Sequence, residues 1–94
     1  MMTPRAVRIE AETLALRALT FVMSDSELRP RLLDVTGLDV ATLRSRAADP
    51  ALLAATLAFV EAHEPSLMRC AAALEVEPRS LVTAREVLDP PLAL

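Results

Sequence analysis

The sequence predicts an all-α fold, a compact bundle of five to six helices, and three features carry that prediction. Apolar residues recur at the three- and four-residue spacing of a helix face, the periodicity that separates helices from half-buried strands. An acidic residue stands directly before proline at Asp49-Pro50, Glu64-Pro65 and Glu77-Pro78, each time a cap followed by a residue suited to the first helical position. One glycine in 94 residues, with scarcely any β-branched alternation, argues against sheet.

Thr3-Pro4 opens the first helix, and Val7, Ala11, Leu14, Ala18, Phe21 and Val22 mark its apolar face. Ser24 with Glu27 three residues on has the pattern of a capping box for a second helix carrying Leu28, Leu32, Leu33 and Val35. From that start Pro30 lies past the first turn, where it removes a ladder bond, so either the helix kinks there or Ser26 to Arg29 forms a short turn. Gly37 ends this helix, with Leu38 making the contact of a Schellman-type cap, and Asp39 caps a short third helix through Val40, Leu43 and Ala47.

The fourth helix, Pro50 to about Glu64, is the expected centre. Leu52, Leu53, Leu57, Phe59 and Val60 form one arc, and Ala51, Ala54, Ala55, Ala58 and Ala62 form most of the other side, so both sides can pack. Thr56, Glu61, His63 and Glu64 are left to seek water or a partner. A fifth helix runs from Pro65 to Leu74 and a sixth from Pro78 to Leu88, stopped by Asp89-Pro90-Pro91. A single domain over residues 1–94 is expected, with 1–6 and 90–94 fraying and Leu92-Ala93-Leu94 either docked or disordered.

An offset of 38 relates Leu14 to Leu52, Leu19 to Leu57, Phe21 to Phe59, Val22 to Val60 and Leu43 to Leu81. The chain therefore reads as two related three-helix units around the central helix, although richness in Leu and Ala offers a competing origin for the matches. On this reading Phe21 and Phe59 share one core. Glu75 falls where Gly37 stands and should make a less sharp or more strained turn.

With 53% hydrophobic residues but two Phe and no Trp or Tyr, the core must be built from Leu, Ala and Val. A mean hydropathy of +0.37 implies apolar surface left over for self-association or a partner's helix. The net charge of −3 disfavours nucleic acid and anionic membranes as partners, unless binding is local. Met1-Met2-Thr3-Pro4 lacks the apolar run of a signal peptide, and the expected location is the cytoplasm.

The segments Ala18-Leu19-Thr20-Phe21-Val22, Thr36-Gly37-Leu38-Asp39, Leu43-Arg44, Ala48-Asp49-Pro50, Leu57-Ala58-Phe59-Val60 and Glu64 together resemble a family of short, all-helical alphaproteobacterial proteins grouped as a domain of unknown function. The likeness extends from about Leu14 to Leu88, and its most specific part is Gly37-Leu38-Asp39 followed by Ala-Asp-Pro. The chain departs from the pattern at Glu75-Val76-Glu77-Pro78, where Gly-Leu-Asp-Pro is expected, and at Pro30. The resemblance implies a small helical cytoplasmic protein and supplies no activity.

No constellation for catalysis, metal or cofactor emerges. His63 beside Glu61 and Glu64 has no second His or spaced Cys and reads as a solvated end of the fourth helix, where a positive charge would suit the dipole. Cys70 reads as a small buried hydrophobe, unable to pair internally. An enzyme and a small-molecule substrate are not expected. The leading expectation is a protein-contact module, homodimeric or an adaptor, with a helix-turn-helix DNA-binding regulator as the alternative. In that alternative Thr42, Arg44, Ser45 and Arg46 contact base or phosphate, and Ala71, Val76, Leu81 and Ala84 echo the motif in the second unit. Leu33 is bulky and Arg46 polar where the motif wants small and apolar residues.

Overall fold

A computed structural model describes residues 3–89. Six helices and no strand occur among them: α1 (Pro4–Ser24), α2 (Leu28–Thr36), α3 (Val40–Ser45), α4 (Pro50–Glu61), α5 (Glu64–Leu74) and α6 (Pro78–Leu88). The expected all-α bundle is the fold observed. No helix among the described residues is long and apolar enough to cross a membrane. The tail Leu92-Ala93-Leu94 lies outside the described residues; at the other end Thr3 caps α1, its hydroxyl accepting from the Ala6 amide at 3.1 Å.

α4 packs against α1, α2, α5 and α6, and α1 packs against α6 as closely, so the core lies between α1, α4 and α6. Leu52, Leu53, Leu57 and Val60 are buried as expected, and Phe21 and Phe59 are half-buried against the same core. The alanine side of α4 departs from expectation. Only Ala54 is buried; Ala51, Ala55, Ala58 and Ala62 are exposed in one stripe. Alanine exposes so little apolar area that leaving it in water costs little, and the chain spends its covering helices on the leucine arc instead. Thr56, expected to seek water or a partner, is fully buried and finds the partner, its hydroxyl donating to the Leu52 carbonyl at 2.9 Å.

The helix joints differ from their sequence signals in instructive ways. Ser24 is the last residue of α1, its hydroxyl turned back to the Thr20 carbonyl. Asp25 caps in its place, one carboxylate oxygen accepting from both the Glu27 and Leu28 amides at 2.9 Å. Ser26 and Glu27 form a turn in which the Arg29 amide already donates to the Asp25 carbonyl at 3.0 Å, and the regular helix starts at Leu28, so Pro30 forgoes only the next bond of that opening turn, to the Ser26 carbonyl. The ladder therefore needs no kink. His63, not Glu64, stands at the N-cap of α5, at the positive end of that helix, while its amide still donates to the Val60 carbonyl in the last turn of α4 at 3.3 Å.

Gly37 takes the left-handed conformation with φ 70°, and its amide donates to the Leu33 carbonyl at 2.9 Å. That single bond is the simpler αL cap, since the Leu38 amide turns to the Thr36 hydroxyl. The full Schellman motif occurs at Glu75, which is left-handed as well, with φ 56°. There the Val76 amide donates to the Ala71 carbonyl and the Glu75 amide to the Ala72 carbonyl, at 3.0 and 3.2 Å. The two left-handed residues are 38 apart, and burial follows the same offset: Ala15 and Leu53, Ala18 and Thr56, Leu28 and Ser66, Leu32 and Cys70, and Leu43 and Leu81 are all buried pairs. The units diverge at their third helices. Arg46 stands where the second unit buries Ala84, and a guanidinium there ends α3 after six residues, while α6 continues to Leu88 against α1 and α4.

Candidate functional site

α3 lies at the edge of the bundle, held mainly through the buried Leu43. Asp39 caps it, its carboxylate accepting from the Thr42 amide at 2.7 Å, and that bond holds the Asp39 carboxyl below the usual carboxylate range. The four residues expected to contact nucleic acid share this short element but not one free face. Thr42 is half-buried in the cap. Ser45 donates its hydroxyl to the Thr42 carbonyl at 2.9 Å, and Arg46 pairs with Asp49 at 2.8 Å. Arg44 is exposed at the rim of a groove.

That groove, of about 320 Å³, runs between α1 and α3 and is lined chiefly by Leu16, Leu19, Thr20, Met23, Val40 and Leu43, with Arg44 at its edge. Two of these are apolar side chains that the core covers only in part. Leu16 is 46% exposed and Met23 only half-buried, and Ile9, one turn pair earlier on α1, is 52% exposed. Ile9, Leu16 and Met23 are seven residues apart in turn, which puts them in one stripe along the helix, flanked by Arg8 and Glu12 as an exposed ion pair at 3.2 Å. Sequence reading missed this stripe because the stronger apolar arc of the same helix, through Ala11, Ala15, Ala18 and Val22, dominates its periodicity. The seven-residue spacing was the available signal.

Two nucleophilic side chains are withdrawn into the core. Cys70 is fully buried, and burial pushes its thiol up to about 11, against a smaller opposing effect of Arg17. Ser66 is buried too, its hydroxyl 2.6 Å from His63 Nδ1 in a pair that closes the first turn of α5. Among the described residues no three of His, Cys, Asp and Glu gather as metal ligands would. A second groove, of about 290 Å³ between α1 and α6, mixes Val7, Leu14 and Val87 with Glu10, Glu77 and Arg79.

The family model described as a protein of unknown function (DUF3572) matches residues 8–91. No curated protein and no solved structure matches the chain.

Proposed function

We propose that this chain, which belongs to the DUF3572 family of proteins of unknown function, is a cytoplasmic protein-contact module that binds through the apolar face of α1 and α3. The observation that carries the proposal is the stripe Ile9, Leu16 and Met23 opening into the α1–α3 groove. Exposed leucine and isoleucine scattered singly are ordinary, but two in line with a half-buried methionine on one helix face, beside an apolar cleft, form a surface that gains free energy when covered. A groove of this size takes one or two apolar side chains of a helix laid across it. Catalysis draws no comparable support: the Cys70 thiol and the Ser66 hydroxyl, the one side-chain nucleophile among the described residues placed beside a histidine, are both buried.

A DNA-binding reading draws support from the three-residue joint Gly37-Leu38-Asp39 between α2 and α3. It is the weaker reading, because Arg46 is paired with Asp49 and a six-residue α3 presents, among the described residues, one free cation, Arg44, at this face. A photo-crosslinking residue installed at position 16, with position 86 on exposed α6 surface as control, discriminates the readings in cells. The proposal expects a protein adduct at 16 and none at 86. A nucleic-acid adduct, or no adduct at 16, would overturn it.

A further inference from the structure

The contact face is nearly symmetric about its own midpoint, and on this basis we propose that its occupant is a second copy of the chain. The two α1 helices would lie antiparallel about a two-fold axis beside Leu16. The inference rests on the contact role argued above and adds the partner and the register.

Ile9 and Met23 each lie seven residues from Leu16, or about 10 Å along the helix at 1.5 Å per residue. A two-fold axis lying in the interface beside Leu16 therefore sets Leu16 against the second copy's Leu16. It also sets Ile9 of each copy against Met23 of the other. The groove between α1 and α3 flanks the Met23 half of the stripe, so the second copy's Ile9 is the side chain that enters it, between Met23 and Val40. One face then supplies both the projecting side chain and the cleft that receives it, as an isologous contact requires.

Charge supports the same register. Such an axis keeps each flank of the stripe on its own side, and Glu12 lies on the flank of α1 that, further along, meets α3. Glu12 of the second copy, four residues before its Leu16, comes opposite Thr20, beside the groove-edge residue Arg44. Each copy thus brings to one guanidinium, twice over, a partly exposed carboxylate that within its own chain pairs with Arg8 at 3.2 Å. A parallel arrangement would instead set Glu12 against Glu12.

The stripe is about 20 Å long and one helix wide, so with α3 it covers on the order of 500 Å² per copy, or about 1,000 Å² in total, the size of a weak, transient contact. A reversible dimer in the micromolar range is expected. Sedimentation velocity of the full chain from about 1 μM to 1 mM should show the mass rising towards twice the monomer. Leu16→Glu, at an exposed position, should weaken the dimer at least tenfold with an unchanged circular dichroism spectrum, and Ile9→Glu should do the same. Glu12→Arg and Arg44→Glu should each weaken it several-fold, and the double reversal should restore it.

A wild-type protein monomeric across that range overturns self-pairing, and so does a Leu16→Glu variant that dimerises as well as wild type. Failure of the double reversal overturns the register. If the wild type stays monomeric while position 16 crosslinks to a different protein, self-pairing fails and the contact role stands; with no adduct at all, both fail.

Discussion

The guanidinium of Arg17 donates a hydrogen bond of 2.8 Å to the Leu74 carbonyl, joining the middle of α1 to the last turn of α5. The two residues are 57 apart in sequence. A helix ends with carbonyls that have no partner of their own, and a cation there is favoured by the dipole as well as by the bond. The carbonyl belongs to the residue just before left-handed Glu75, so Arg17 secures the joint that carries the chain into α6.

Arg17→Ala should therefore destabilise the fold by about 1 kcal/mol, the scale of a partly exposed charge-assisted bond. Arg17→Lys should recover part of this, because an ammonium can meet the carbonyl but lacks the planar fork. Urea denaturation of the three proteins measures the difference.

The two left-handed joints should respond oppositely to exchange. Glu75→Gly removes the strain of a side chain at φ 56° and should stabilise by about 0.5–1 kcal/mol. Gly37→Ala introduces that strain at φ 70° and should destabilise by about 1 kcal/mol. A Cβ at Gly37 meets nothing within 4 Å, so the loss comes from the backbone alone. Thermal melts of both variants check the signs, and a stabilised Gly37→Ala would contradict the assigned conformation.

Three capping aspartates make the fold acid-sensitive. Hydrogen bonding lowers each carboxyl: the Leu28 amide chiefly at Asp25, the Thr42 amide at Asp39 and the Arg46 guanidinium at Asp49. A carboxyl lowered on folding contributes stability that is full above its unfolded value, about 4, and is lost as pH falls through the folded one. The melting temperature should thus hold from about pH 7 to pH 5 and fall below about pH 4. Asp25→Asn should make that fall shallower, measured as the melting temperature against pH.

Cys70 should be inert in the native protein. Its buried thiol, raised to about 11, holds little thiolate at pH 8, whereas an unfolded chain with a value near 8.5 holds a substantial fraction. Alkylation by iodoacetamide should be slower by roughly a hundredfold or more in native protein than in denaturant. Equal rates would place the thiol outside the core.

What could be read in advance was whatever is encoded locally. Pro50 and Pro78 open their helices, Asp39 and Asp49 cap as expected, and the 38-residue offset reappears in burial, because each depends on neighbours within a turn or on one repeating face. Errors came where two local signals competed. Ser24 and Asp25 can both cap, and only the hydrogen bond from Ser24 back to Thr20 decides between them. Which face of α4 stays wet depends on how many helices the chain has to spend on it, and no window of sequence contains that information. The Ile9, Leu16 and Met23 stripe was legible in its spacing and hidden by a stronger pattern on the same helix.

The marginal seating of α3 gives the molecule a graded response to warming. An element of six residues anchored by one leucine can detach in a local opening while the other five helices keep their amides protected from exchange. One wall of the cleft would then be lost before the fold, so the contact proposed for it would fade with temperature ahead of melting.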